Sequence, residues 1–265
     1  MGIVLGVAGR LLARYLSRPN PKFVPLAVFP VDQLASALRP CDVLLVEGNT
    51  RVSTAIKYLT QSTWSHAALF LGLGPFAGQL PGEHVLIEAD LEAGIRLVPL
   101  STYSEMHTRI CRPEGLSSEH AQNIIDTALT RLGHQYDLKN VIDLARYLMP
   151  IPPVPIWCRR RLLAFGSGEP TKAICSTFIA QLFQSVRYPI LPKLEHRRWG
   201  DCNTCYDEIL HIRHHSLFAP RDFDISPYFQ VVKPTLEANF DYHALTWGDV
   251  KSDAAHALAR DVSGL

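Results

Sequence analysis

The sequence predicts an α+β fold in which most of the strands precede most of the helices. Short apolar segments bounded by Gly, Pro and Asn fill residues 40–112, and the clearest helical periodicity comes after them. Strands first and helices later are typical of an α+β domain with an antiparallel sheet. The 265 residues, 47% of them hydrophobic, are enough for one domain with a sizeable core.

Five segments are predicted to be strands, joined by short turns. Each is rich in Val, Ile, Leu or Phe and is bounded by turn-forming residues. The segments are Asp42–Val46, His66–Gly72, Val85–Ala89, Ile95–Leu100 and His107–Arg112. Short strands joined by short loops predict a meandering antiparallel sheet, with a short helix over Ser53–Tyr58 after the first strand.

Three longer helices are predicted in the second half of the sequence. The first begins at Ser117 or Ser118, which can cap it, and ends at Gly133. Leu138–Leu148 is the second and Ala173–Val186 is the third. The prolines between residues 150 and 155 predict a stiff loop, which could also be a substrate wall. No period can be identified after residue 189.

Charge and cysteine content exclude several classes of protein. Lys and Arg number 26 against 25 Asp and Glu, so the basic excess of a nucleic-acid-binding protein is absent. No apolar stretch is long enough to cross a bilayer. Six irregularly spaced cysteines do not form a disulfide framework, which favours a reducing, cytoplasmic location. We expect no cofactor.

The first 24 residues are predicted to be a basic amphipathic extension. Arg10, Arg14 and Arg18 recur every fourth residue and would form one stripe on a helix. Such a helix would allow peripheral contact with an anionic membrane. An organellar presequence or a solvated extension would have the same pattern. We expect the domain over residues 25–235 and a tail over 236–265.

Three residues have the chemistry of a cysteine-dependent catalyst. Cys175 lies at the predicted start of the third helix, where unpaired N–H groups and the helix dipole favour a thiolate. His66 opens an apolar strand, and Glu88 lies within a neighbouring one. A cysteine nucleophile needs a base, and that base needs a third polar group to fix its tautomer. Each residue alone also has a structural interpretation: a buried thiol, a structural histidine and a solvent-facing acid.

Four segments resemble a known family of enzymes. Trp64–Gly72 (WSHAALFLG), Val85–Ala89 (VLIEA), Gly133–Asp137 (GHQYD) and Ile174–Ile179 (ICSTFI) are similar to the permuted papain-like amidases of the YaeF/YiiX type. This group is related to the NlpC-type cell-wall peptidases and to lecithin:retinol acyltransferase. The likeness extends over about residues 40–235, and it includes Asp42 and the segment Ala219–Phe223.

The resemblance implies a circularly permuted papain-like fold, with the antiparallel sheet first and the nucleophile-bearing helix packed against it. It implies that Cys175 attacks a carbonyl, that His66 transfers the proton, and that Glu88 orients His66. Tyr136 matches a tyrosine beside the nucleophile and would help to stabilise the oxyanion. Glu83 and Asp90 are alternatives to Glu88, because the loop before Glu88 is long.

The implied reaction is acyl transfer through a thioester, with an amide as the first choice of substrate. An ester or a lipid acyl group is the second choice, which the amphipathic N-terminus favours. The substrate would be a small molecule, a peptide or a lipid-like acyl compound. A non-catalytic, membrane-associated binding module on the same fold is the alternative from a different class.

A second cluster of metal-ligating residue types lies late in the sequence. A Cys-x-x-Cys pair with nearby histidines has the composition of a structural zinc site, although the spacing is looser than usual. The residues are His196, Cys202, Cys205, His211, His214 and His215. Zinc there would hold the C-terminal region together, and we predict no metal at the Cys175 site.

Overall fold

The computed structural model describes residues 18–19, 23–25, 28–90, 93–134, 174–198, 206–211, 214–215, 218–238, 240–241 and 243. The described residues up to Pro234 form one compact unit, and those from Thr235 onward belong to a second. In the first unit a mixed arrangement of helices surrounds an antiparallel sheet.

Six strands form the main sheet of the described residues. The strands are β1 (Val43–Val46), β2 (His66–Leu73), β3 (His84–Asp90), β4 (Gly94–Pro99), β5 (Thr108–Pro113) and β8 (Phe229–Val232). Their spatial order is β4-β3-β2-β1-β5-β8, and every neighbouring pair is antiparallel. A separate ribbon pairs β6 (Lys193–Arg198) with β7 (Tyr206–His211).

The helices of the described residues are short to medium in length. They are α1 (Val31–Ala37), α2 (Arg51–Thr60), α3 (Ser118–Thr130), α4 (Ile174–Ser185), α5 (Arg221–Asp224) and α6 (Pro234–Glu237), with a 3₁₀ turn over Leu100–Tyr103. The Ser117 hydroxyl caps α3 by accepting from the His120 N–H at 3.2 Å. Within the described ranges, no helix combines the length and apolarity needed to cross a membrane.

Alternation along the strands gives the sheet two buried faces. One face carries Val43, Leu45 and Leu69 and belongs to the same core cluster as α4. The other carries Leu44 and Phe70 and packs with α1 and the 3₁₀ turn. Helix α4 lies against β2 and β3, so its first turn is held beside the strand that begins with His66.

The five predicted strands and the helices α2, α3 and α4 are present, with ends shifted by up to three residues. The sequence interpretation missed α1, α5, α6, the 3₁₀ turn, β6, β7 and β8. Strand β8 is only four residues long, and its pairing with β5 stabilises it. The predicted helix over 138–148 and the loop over 150–155 lie outside the described residues.

Candidate active site

His66 is the first residue of β2, an interior strand of the sheet, and it pairs with Val46 on β1. Its imidazole is about three-quarters buried, with 24% of the side chain exposed. Nε2 lies 2.7 Å from Oε2 of Glu88. The Cys175 side chain lies near enough to the imidazole to raise its pKa. Because Nε2 faces Glu88, Nδ1 is the ring nitrogen left for the sulfur.

Cys175 lies in the first turn of α4 and is 4% exposed. The N–H groups of a first helical turn point away from the body of the helix, so the sulfur lies beside backbone donors and the positive end of the helix dipole. Ser176 holds this end of the helix by donating to the carbonyl of Phe218 at 2.7 Å. The thiol is therefore buried and held in place, but it contacts a titratable base rather than hydrocarbon alone.

Glu88 is 2% exposed, and both of its carboxylate oxygens have partners. Oε2 accepts from the Tyr103 hydroxyl as well as facing His66. Oε1 accepts from Nε of Arg96 at 2.9 Å, and Nη2 of Arg96 is also 2.9 Å away. Arg96 is the direct cross-strand neighbour of Glu88 in the β3–β4 pair.

Charges around this site shift the pKa values in opposite directions. Burial alone would lower the pKa of His66, but the charges on Cys175 and Glu88 and its hydrogen bond to Glu88 raise it well above 6.5. Burial would raise the pKa of Glu88, but His66, Tyr103 and Arg96 outweigh it and lower the pKa to about 2. The site therefore favours an imidazolium paired with a carboxylate at neutral pH.

The structure brings Cys175, His66 and Glu88 into one connected group. Glu83 and Asp90, the alternative acids, do not take this position: Asp90 lies 3.6 Å from Arg96, and Glu83 lies in the loop before β3. Tyr136, predicted beside the nucleophile, lies outside the described residues, and so does Asp137.

Sequence reasoning missed Tyr103 and Arg96. Arg96 could have been found only from the register of the β3–β4 hairpin, in which Asp90 pairs with Gly94 and Glu88 with Arg96. Tyr103 had no signal, because a tyrosine in a 3₁₀ turn after a strand has no periodicity that relates it to Glu88. Neither contact could therefore be inferred from the residue pattern within a single strand or helix.

A second polar network lies just before the start of β2. The Trp64 indole donates to Asp224 at 3.0 Å, and Arg109 donates to both oxygens of Asp224 at 2.6 and 2.8 Å. The guanidinium lies 4.9 Å from the centre of a Trp64 ring. These contacts tie β5 and α5 to the residues that immediately precede His66.

The metal interpretation finds no support in the described part of the protein. No group of three or more His, Cys, Asp or Glu side chains there is arranged to hold an ion. His196 and His211 lie on β6 and β7 of the ribbon, while His214 and His215 follow it. Cys202 and Cys205 lie outside the described residues.

Comparisons with known proteins bear on this geometry. Residues 37–147 match the model of a family described as "Permuted papain-like amidase enzyme, YaeF/YiiX, C92 family". This part of the chain is therefore similar to a family of permuted papain-like amidases. The match confirms the resemblance seen in the sequence and, together with the antiparallel sheet and α4, the predicted fold class.

The family match has a limit that matters for the site. It includes His66 and Glu88 but ends at residue 147, before Cys175.

Among solved structures, the chain is similar to the metalloprotein YiiX from Escherichia coli O157:H7, with 16% identity, 74% of this chain and 97% of that chain covered, and a TM-score of 0.46. No curated protein matches the chain.

Proposed function

We propose that the protein is a cysteine-dependent amidase that uses Cys175, His66 and Glu88 as nucleophile, base and orienting acid. The observation that supports this most directly is the position of His66, which lies 2.7 Å from Glu88 and near enough to Cys175 for that thiol to raise its pKa. The three residues come from α4, β2 and β3 and are separated by up to 109 positions in the sequence. They lie together near the start of β2. This is the order of contacts that an activated thiol requires.

The reaction would begin from an ion pair of the Cys175 thiolate and the His66 imidazolium, in which the thiol proton has already moved to Nδ1 of His66. The sulfur attacks the carbonyl carbon, and the carbonyl electrons move to the oxygen. The Cys175 backbone N–H, and the hydroxyl of Tyr136, would stabilise this oxyanion. When the intermediate collapses, the C–N bond breaks and His66 returns its proton to the leaving amine, which leaves a thioester.

The second half of the reaction would release the acyl group. A water gives a proton to His66 as its oxygen attacks the thioester carbon. The C–S bond then breaks, the proton returns to sulfur, and a carboxylic acid leaves. Glu88 holds the imidazole with Nε2 toward itself during both halves, so that Nδ1 always faces the sulfur. The same steps would cleave an ester.

Alkylation tests whether Cys175 is activated. With limiting iodoacetamide at neutral pH, mass mapping should show that Cys175 reacts first among the thiols. Either His66→Ala or Glu88→Gln should reduce that rate by ~10-fold or more, because each removes a group that stabilises the thiolate pair. His120→Ala, at an exposed position on α3, is the matched control and should not change it. Equal labelling of all cysteines would overturn the proposal.

Acyl-enzyme trapping tests the reaction itself. The protein is incubated with a panel of N-acyl and peptidyl anilides, and the intact mass is recorded after rapid acid quenching. We expect a mass increase equal to the acyl group, located on Cys175 and absent from Cys175→Ala. If Cys175 is selectively alkylated but no amide or ester in the panel acylates it, the fold would be serving as a binding module.

A further inference from the structure

We propose that Tyr103 and Arg96 are positioning residues, which hold the Glu88 carboxylate in the orientation and ionised form that His66 requires. This inference rests on the proposed function, since it concerns how the orienting acid is itself controlled. Both donate hydrogen bonds to Glu88 and would act through it.

Tyr103 and Arg96 each donate to a different oxygen of the Glu88 carboxylate. The Tyr103 hydroxyl donates to Oε2, the same oxygen that faces Nε2 of His66. The Arg96 guanidinium donates to Oε1, the other oxygen. With one donor on each oxygen, rotation of the carboxylate away from His66 would break two charge-assisted hydrogen bonds at once. The plane of the carboxylate is therefore fixed from two directions.

Burial makes these partners necessary. Glu88 is 2% exposed, so water cannot replace a missing donor without opening the site. Tyr103 is also buried, and its pKa is raised well above 10 by burial and by the Glu88 charge. The phenol therefore remains protonated over the whole neutral range and can only donate to Glu88, never repel it.

The polar and charged groups that contact Glu88 come from three elements around it. His66 lies on β2, Arg96 on β4 and Tyr103 in the 3₁₀ turn, with Asp90 on β3 sharing Arg96. Two of them, Tyr103 and Arg96, lower the pKa of Glu88 together with His66, and the result is about 2. Removing either one should make Glu88 easier to protonate.

The two partners differ in how rigidly they are held. Tyr103 belongs to the buried core cluster with Leu86 and Val98, whereas the Arg96 side chain is 44% exposed. Arg96 also has an alternative partner in Asp90, at 3.6 Å. We therefore expect Tyr103 to contribute mainly fixed geometry and Arg96 mainly charge.

The test uses Tyr103→Phe, Arg96→Gln and Arg96→Lys in the full-length protein. Carboxyl ¹³C NMR follows the protonation of Glu88 as the pH falls. We expect half-protonation to move upward by roughly 1 pH unit in Tyr103→Phe and Arg96→Gln, and Arg96→Lys to recover part of the shift. The rate of Cys175 alkylation at neutral pH should fall by ~10- to 100-fold in the first two variants, as for other small misplacements of catalytic groups.

Two controls separate positioning from general destabilisation. Tyr188→Phe removes a hydroxyl that donates to the carbonyls of Glu114 and Tyr228, away from the site. Arg187→Gln changes an exposed arginine that follows α4, beyond the end of that helix opposite to Cys175. Both should leave the Glu88 titration and the alkylation rate unchanged, even where they lower the melting temperature.

The outcomes distinguish this inference from the proposed function. If Cys175 is selectively alkylated in the wild type and neither Tyr103→Phe nor Arg96→Gln alters its rate or the Glu88 titration, the positioning role is wrong and the proposed function stands. If Cys175 shows no selectivity in the wild type, the proposed function fails. The NMR titration would then still decide whether Tyr103 and Arg96 control the ionisation of Glu88.

Discussion

Nε2 of His66 and Oε2 of Glu88 are 2.7 Å apart, although 22 residues separate them in the sequence. The contact joins two neighbouring strands that are connected by a long Gly- and Pro-containing loop. Its geometry leaves one imidazole nitrogen for Cys175 and commits the other to an acid. The predictions below concern this pair and the contacts that keep its surroundings in place.

The stability of the protein should depend on pH through Glu88. Its pKa is about 2 in the folded state against an ordinary value of 4.5, so its contribution is complete above 4.5 and is lost as the pH falls towards 2. The shift corresponds to about 3 kcal/mol at most. Over this pH range the free energy of unfolding, measured with urea, should fall more steeply for the wild type than for Glu88→Gln. Equal slopes of the unfolding free energy against pH would contradict the lowered pKa of Glu88.

His66 should produce the opposite dependence at the alkaline end. Its pKa is raised well above 6.5, so the stability that it contributes is complete below 6.5 and is lost as the pH rises through the folded-state value. Imidazole ¹H NMR should show a histidine that stays protonated above neutral pH, and this resonance should be missing in His66→Ala. An ordinary titration for every histidine would contradict the prediction.

Cys41 and Cys111 should resist alkylation until the protein unfolds. Both thiols are fully buried, and burial raises the pKa of Cys41 to about 12 and that of Cys111 further still. Neither can form a thiolate at neutral pH in the folded protein. Mass mapping should find both unmodified in buffer and modified in concentrated urea. Rapid native labelling of either would show that its burial is wrong.

Asp42 should be important for stability rather than for chemistry. Its carboxylate is buried and accepts from Arg112 at 2.8 and 3.0 Å. Asp42→Ala would leave the Arg112 charge buried without that partner, which costs ~3–5 kcal/mol in comparable pairs. In Asp42→Ala/Arg112→Met the loss should be smaller than the sum of the single losses. Strict additivity in urea unfolding would contradict the pairing.

Asp224 should stabilise the strand end that leads into His66. Asp224→Ala would leave the Trp64 indole N–H and the Arg109 guanidinium without their acceptor, at a cost of ~1–3 kcal/mol. Asp126→Ala, at an exposed position on α3, is the control and should change the unfolding free energy by no more than about 0.5 kcal/mol. Equal effects of the two substitutions would argue against the network.

Much of the fold could be predicted because its elements carry local signals. The continuous apolar segment from Ala67 to Leu71 and the apolar residues of β3 are buried on both faces, and such strands can be recognised from composition alone. Helix α3 shows a capping serine and a period of apolar residues. By contrast, α1 spans only seven residues and β8 four, so neither has enough residues to display a period.

The candidate site was partly predictable for the same reason. Cys175 was identified from its place at a helix start, and His66 and Glu88 from polar residues in apolar strands. Their hydrogen-bond partners were not, because Tyr103 reaches Glu88 from a turn that lies beyond a whole strand. A sequence pattern reports neighbours along one element, whereas the partners of a buried charge come from every element packed around it.

The sequence by itself determined the antiparallel sheet, the helix whose first turn contains Cys175 and the residue types of the site. Only the tertiary structure decided that Glu88, rather than Glu83 or Asp90, faces His66, and that Tyr103 and Arg96 hold it there. The reason is physical. Apolar burial selects which segments become strands and helices, but the register of paired strands and the path of each turn decide which polar groups meet.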